Sequence, residues 1–321
     1  MTAGEPIAVR IFRLGREGRE IGTLGIGAWA WGSRFVWGYG SGYTDSDLRA
    51  AFEASVKRGV RFFDTAEAYG MGHSERLLGE FAQAARADVM IGTKFFPFPW
   101  RFGQGSIIHA LRKSLERLAM QSVTLYQIHW PSPLMSVGTM MQGPAEAVQA
   151  GLAEAVGVSN FNTEQMAEAY EVLAKHGISL ASNQVEYSLI QRDPERSGLL
   201  DLCRDLGVTL IAYSPLGMGM LTGKYTPNHP PSGVRGRRYS QHFLLKLQPL
   251  IDLMRRIGEA HGGRTPVQVA LNWVIAKGAF PIPGAKNPRQ VDDNAGVLEW
   301  SLTEEQVAAL DAASDGLADI S

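Results

Sequence analysis

A chain of 321 residues that is 45% hydrophobic has ample material for a buried core, and 31 basic against 32 acidic side chains leave a net charge of −1, which offers nothing to nucleic acid or an anionic membrane. Cys203 is the only cysteine, so an internal disulfide is excluded, and a reducing compartment suits that usage. The opening MTAGEPIAVRIFRLG lacks the apolar centre of a signal peptide, and no run of about 18 apolar residues could span a bilayer, so the expectation is a soluble cytoplasmic protein.

Short runs rich in Val, Ile, Leu and Phe recur along the chain, the pattern of strands buried on both faces. They fall at Leu24–Trp29, Val60–Asp64, Val89–Phe95, Leu125–Trp130, Ala153–Ser159, Ala181–Val185, Thr209–Tyr213 and Ala279–Pro283, with a short hairpin expected before the first. Helical patterns lie between them. Asp47–Arg58 is amphipathic and stops at Gly59; Ser74–Ala85 opens on a capping serine; Ile107, Ile108, Leu111, Leu115 and Leu118 form one apolar stripe. Thr163–His176 and Glu195–Leu206 each end at a glycine.

The first seven strands start roughly 27–36 residues apart, one strand–helix crossover each. The last gap is about twice as long and holds a Gly/Pro/Arg-rich stretch, Gly217–Tyr239, followed by an amphipathic segment, Gln241–His261. This reads as a long loop after strand 7, not a domain boundary, so residues 1–321 are expected to form one domain. Eight alternating units admit a closed (β/α)8 barrel or an open doubly wound sheet. The open sheet should carry G-x-G-x-x-G after its first strand; here "GIGAWAWG" meets Trp29 where a helix should begin, so the α/β fold expected is the TIM barrel.

Catalytic groups of such a barrel sit at the C-terminal strand ends. The second strand ends at Asp64 in "FFDTAEAYG" (62–70), the third near Lys94 in "IGTKF", the fourth near His129 in "LYQIHWP", and Tyr69 lies on the loop after the second. Singly, each has a plainer reading: a salt bridge, a satisfied core histidine, a packing tyrosine with a wet hydroxyl. Together they suit proton delivery to a carbonyl oxygen. An ammonium near a phenol lowers its pKa from about 10, and Asp64 can partner a buried Lys94. No nucleophile with an adjacent base argues for acyl transfer, and the histidines show no zinc spacing, so no metal is expected.

Asp64, Tyr69, Lys94 and His129 in these motifs resemble the catalytic tetrad of the aldo-keto reductases. The resemblance continues through "VGVSNF" (156–161), "SNQVEYSL" (182–189), "YSPLGMGMLTGKY" (213–225) and "IPGAKNPRQVDDN" (282–294). With "WRFG" (100–103) it is most similar to the bacterial and plastid-type branch, in the neighbourhood of the pyridoxal reductases. The resemblance implies NADPH-dependent reduction of an aldehyde or ketone, with hydride from the nicotinamide and the proton from Tyr69. It implies that Lys94 and Asp64 tune Tyr69 and that His129 orients the carbonyl.

It further implies that Ser159, Asn160 and Gln184 hold the carboxamide, although strand-end capping is an equally good reading of those residue types. Tyr213 is expected to stack on the nicotinamide. Ser214, Pro215, Leu216 and Gly217 would approach the pyrophosphate, with Lys224 and Arg235 on a loop that closes over it. Gly27 and Trp29 at the end of the first strand complete that side. Gly284, Lys286, Gln290, Asp293 and Asn294 match the adenosine end. Many family members have Lys-Ser at the 2′-phosphate and an arginine six residues after that lysine; the corresponding positions here are Gly284, Ala285 and Gln290. Lys286, with Arg289 nearby, is then left to neutralise the phosphate, so NADPH is the expected cofactor, with NADH possible.

Aromatics crowd the loops at the upper rim: Trp31, Phe35, Trp37 and Tyr39, then Phe96, Trp100 and Trp130. They suggest an apolar pocket for a small aromatic or heteroaromatic carbonyl such as pyridoxal. Two other functions compete. One is a slow-turnover nicotinamide-binding sensor or auxiliary subunit. The other is a hydrolase using Asp64 and Glu67, which leaves Lys94 and His129 without a task.

Overall fold

The computed structural model describes residues 10–33 and 37–317. A two-stranded antiparallel hairpin, β1 (Phe12–Arg13) and β2 (Glu20–Gly22), precedes the barrel. It lies across the N-terminal strand ends, where Thr209 donates its hydroxyl to the Arg13 carbonyl and Phe12 packs edge-on to Phe280. Eight parallel strands follow in sequential order. They are β3 (Gly25–Gly27), β4 (Phe62–Asp64), β5 (Met90–Phe95), β6 (Val123–Ile128), β7 (Ala153–Ser159), β8 (Leu180–Glu186), β9 (Thr209–Tyr213) and β10 (Phe280–Pro281). The Gly27 N–H donates to the Pro283 carbonyl at 3.0 Å, joining first strand to last. Only glycine allows this seam: a Cβ on Gly27 would stand 2.8 Å from the Ile282 carbonyl oxygen.

Helices alternate with the strands: α1 (Asp45–Lys57), α2 (His73–Ala85), α3 (Gly103–Leu118), α4 (Val137–Gln149), α5 (Thr163–Ala174), α6 (Asp193–Arg196) and α7 (Leu199–Leu206). The predicted Glu195–Leu206 helix is thus two pieces, parted at Gly198, whose φ of 75° cannot continue a helix. After β9 come a 3₁₀ turn (Gly217–Thr222), α8 (Gly233–Arg238) and α9 (Gln241–Ala260), the predicted amphipathic segment. Helices α10 (Pro266–Ala276), α11 (Pro288–Ala295) and α12 (Glu304–Ser314) complete the chain.

Two of these helices hide from periodicity for clear reasons. Helix α10 is buried from Val267 to Ile275, so it shows no polar face. Helix α4 carries Gly143 and Pro144, poor helix formers. Packing overrides propensity there, because a Cβ on Gly143 would lie 2.6 Å from Ile107 of α3. Among the described residues, no helix is long and apolar enough to cross a membrane.

Candidate active site

Strand register lines the tetrad up at one end of the barrel. Asp64 closes β4 and Lys94 lies one residue from the end of β5, paired in register with Gln127 of β6. His129 follows β6, its N–H bonded to the Phe95 carbonyl at 2.9 Å. Lys94 Nζ donates to Asp64 Oδ2 at 2.6 Å and to the Thr65 carbonyl at 2.8 Å, and reaches the Tyr69 hydroxyl at 3.5 Å. The Tyr69 and His129 rings meet edge to face, 5.7 Å between centroids. All four predicted residues therefore converge.

Gln127 joins them and was missed by the sequence reading. Its Nε2 faces Asp64 Oδ1 at 3.5 Å, while Gln184 Nε2 donates to the same oxygen at 2.7 Å from across the barrel. A glutamine between Tyr126 and Ile128 in a largely apolar strand was the available signal. The carboxylate thus has a hydrogen-bonded place inside the barrel, which a lone buried charge would lack.

One expectation fails. The Tyr69 phenol is not pulled down by Lys94; burial, with Asp64 and Tyr213 assisting, pushes it well above its ordinary value. The ammonium is bound closely to Asp64, so the pair presents little net positive field to a phenol 3.5 Å away. Lys94 itself is lowered by burial, against the opposing pull of Asp64. His129 drops to about 3, first through burial and then through Lys94, so its imidazole is neutral at ordinary pH. Its buried Nδ1 has no hydrogen-bond partner among the described residues.

The expected carboxamide residues are tied to one another. Ser159 donates to the Gln184 carbonyl at 2.8 Å, and Asn160 Nδ2 donates to the His129 carbonyl at 3.1 Å. The Tyr213 hydroxyl donates to Asn160 Oδ1 at 3.1 Å. Asn160 and Ser214 sit in the left-handed region, with φ of 61° and 48°, a cost that non-glycine residues bear mostly at functional turns. Gln184 Oε1 accepts no hydrogen bond from the described residues.

A cationic cluster forms beside this end. Lys286 Nζ lies 4.6 Å from the Tyr43 ring centre and 5.1 Å from that of Trp37, and the Arg235 guanidinium lies 5.4 Å from the Trp37 ring centre. Arg235 donates to the Tyr225 hydroxyl at 2.9 Å, and Lys224 stands 4.7 Å from the Tyr225 ring. Burial, Arg235 and Lys224 together lower Lys286 to about 8. No carboxylate among the described residues forms an ion pair with any of the three cations. This arrangement fits a polyanionic group. Gln290 accepts from the Lys286 N–H at 2.9 Å, and Asn294 Nδ2 donates to the Gly284 carbonyl at 3.4 Å. Asp293 Oδ1 accepts from the Thr265 hydroxyl at 2.6 Å at the start of α10.

The aromatic set divides. Trp31 lines no pocket: it is fully buried, packs on Phe63 and Phe81, and donates its indole N–H to the Ala285 carbonyl at 2.9 Å. Its bulk and flat faces serve the layer between barrel and helix. Trp37 belongs with the cations and makes an edge contact with Trp29. Tyr39 bonds His73. Phe35 falls outside the described residues. Phe96, Trp100 and Trp130 are partly or largely exposed on the tetrad side.

The family model described as the aldo/keto reductase family matches residues 23–315. The chain belongs to that family. It is an NAD(P)H-dependent oxidoreductase on a (β/α)8 barrel. It is 39% identical over 309 residues to a chloroplastic pyridoxal reductase of Arabidopsis thaliana, covering 92% of this chain and 84% of the relative. Among solved structures it is similar to a glycerol dehydrogenase of Gluconobacter oxydans, with a TM-score of 0.83, 26% identity and 94% of each chain covered. An aldo/keto reductase of Klebsiella pneumoniae in complex with NADP and acetate aligns with a TM-score of 0.75, 26% identity and 95% of each chain covered.

Proposed function

We propose that this protein reduces an aldehyde or ketone to the alcohol with NADPH, Tyr69 supplying the proton. The observation that carries the reading is the Tyr69 hydroxyl, 3.5 Å from an ammonium that Asp64 and the Thr65 carbonyl fix in place, beside a neutral His129. When bound, NADPH supplies the hydride that the carbonyl carbon accepts. The elevated Tyr69 pKa keeps the phenol protonated until the carbonyl oxygen gains negative character. The proton then passes from the Tyr69 oxygen to the substrate oxygen, and Lys94 is the nearest cation to the phenolate left behind. A neutral imidazole donates one N–H without competing for that proton, so His129 orients the carbonyl.

Lys224, Arg235 and Lys286 would hold the phosphates, since three neighbouring cations with no carboxylate partner among the described residues gain most from an anion. Gln184 Oε1 and Ser159 Oγ retain acceptor capacity for a carboxamide N–H. Gly27, Trp29, Tyr213 and the turn from Ser214 to Gly217 would complete the cofactor surface.

The test is NADPH consumption by the purified protein against a panel of aldehydes, with pyridoxal included because of the Arabidopsis relative's name. Tyr69→Phe runs beside it and should cut turnover by at least about 100-fold while keeping NADPH bound. Unchanged turnover in Tyr69→Phe would mean another group donates. Tight NADPH binding with no turnover of any carbonyl would replace the reductase reading with cofactor sensing.

A further inference from the structure

The loop after β5 carries a motif, WRFG, that neither the tetrad nor the cofactor surface uses. Its Arg101 forms a two-pronged ion pair with Glu67: Nη1 meets Oε1, and Nη2 donates to Oε2 at 3.1 Å. The Glu67 side chain is only 7% exposed and also accepts the Phe96 N–H at 2.8 Å. The guanidinium returns a bond to the Phe96 carbonyl at 3.2 Å and covers the rings of Phe95 and Phe98 at 5.3 and 5.1 Å. One buried carboxylate and one arginine thus fix the whole turn from Phe96 to Arg101.

That turn presents a continuous series of rings. Phe96 meets His129 edge-on at 5.5 Å, Phe98 lies 4.6 Å from Phe96, and Trp100 stacks on Phe98 at 4.9 Å with 8° between planes. The series runs from a tetrad ring to a tryptophan that is 72% exposed. Phe102, Trp130, Leu134 and Met71 are also exposed on the loops that follow β4, β5 and β6. A series of rings in mutual contact that reaches solvent from a tetrad ring is a candidate ligand surface.

We propose that Arg101 is a positioning residue: with Glu67 it holds Phe96, Phe98 and Trp100 as an aromatic rail that selects flat aromatic carbonyl compounds over small aliphatic ones. The proposal deepens the reductase reading and rests on it for the location of the reacting carbonyl. Lysine cannot replace Arg101, because a point charge lacks the fork that engages both carboxylate oxygens and the flat face that covers Phe98.

Binding and turnover separate the two claims. Dissociation constants for benzaldehyde and propanal would be measured calorimetrically with NADP+ present, on wild type, Arg101→Lys and Phe98→Leu. Wild type should bind benzaldehyde at least about tenfold tighter, and each variant should reduce that ratio to about threefold or less. In turnover with NADPH the variants should raise the benzaldehyde KM far more than they change kcat. Phe98→Leu keeps the ion pair, so it tests the rail even where Arg101→Lys folds poorly. A wild-type ratio near one, or variants that weaken both aldehydes alike and keep the ratio, would overturn the rail. A preserved binding ratio with neither aldehyde reduced would remove the reductase reading instead.

Discussion

Replacing Lys94 by methionine strips the ammonium from a carboxylate that has almost no water to replace it. The two side chains are 0% and 3% exposed and stand 2.6 Å apart. At an effective dielectric of about 20 the gross attraction at that distance is about 6 kcal/mol. Desolvation of both ions offsets most of it. The cost of breaking the pair is therefore that of an unpaired buried carboxylate, about 3–5 kcal/mol. That is a large part of the roughly 5–15 kcal/mol that holds a domain folded.

Asp64→Asn combined with Lys94→Met removes both charges and keeps an acceptor for Gln184 Nε2, so the double variant should regain most of the loss. Equilibrium urea unfolding followed by far-UV circular dichroism measures all four corners of the cycle. A single variant within about 1 kcal/mol of wild type, or a double variant no better than the single, would refute this account of the pair.

Two further predictions follow from the shifted groups. His129, lowered to about 3 in the folded protein from an ordinary 6.5, takes up its proton more readily when unfolded. Stability therefore falls as pH drops below 6.5, by about 2 kcal/mol between pH 6.5 and 4.5, and His129→Gln should lose that share of the slope in urea titrations; equal slopes would remove the assignment. Lys286, lowered to about 8, loses its charge between pH 7 and 9. NADPH affinity should drop by up to about tenfold over that range and NADH affinity should not. Lys286→Ala should raise the KM for NADPH far more than for NADH; equal effects on both would take the 2′-phosphate away from Lys286.

The strand order, the barrel and the strand-end positions of Asp64, Lys94 and His129 were legible in the chain, because buried parallel strands read as apolar runs and a charge ending such a run is conspicuous. Two predicted strands, Ala153–Ser159 and Thr209–Tyr213, match the observed limits. What could not be read is what depends on neighbours remote in sequence. Glycine and proline in α4 argue against a helix until Ile107 is seen against Gly143. Trp31 looks like a pocket residue until Ala285, Phe63 and Phe81 surround it.

The sign of the Tyr69 shift belongs to the same class. Sequence places a lysine near a tyrosine, but only the fold decides that Lys94 is bound first to Asp64 and that burial governs the phenol. Residue types and spacing by themselves determined which groups reach the rim, since strand period and length set that locally. Tertiary structure alone decided their charge states and partners, because desolvation and Coulomb interactions depend on distances that span the whole barrel.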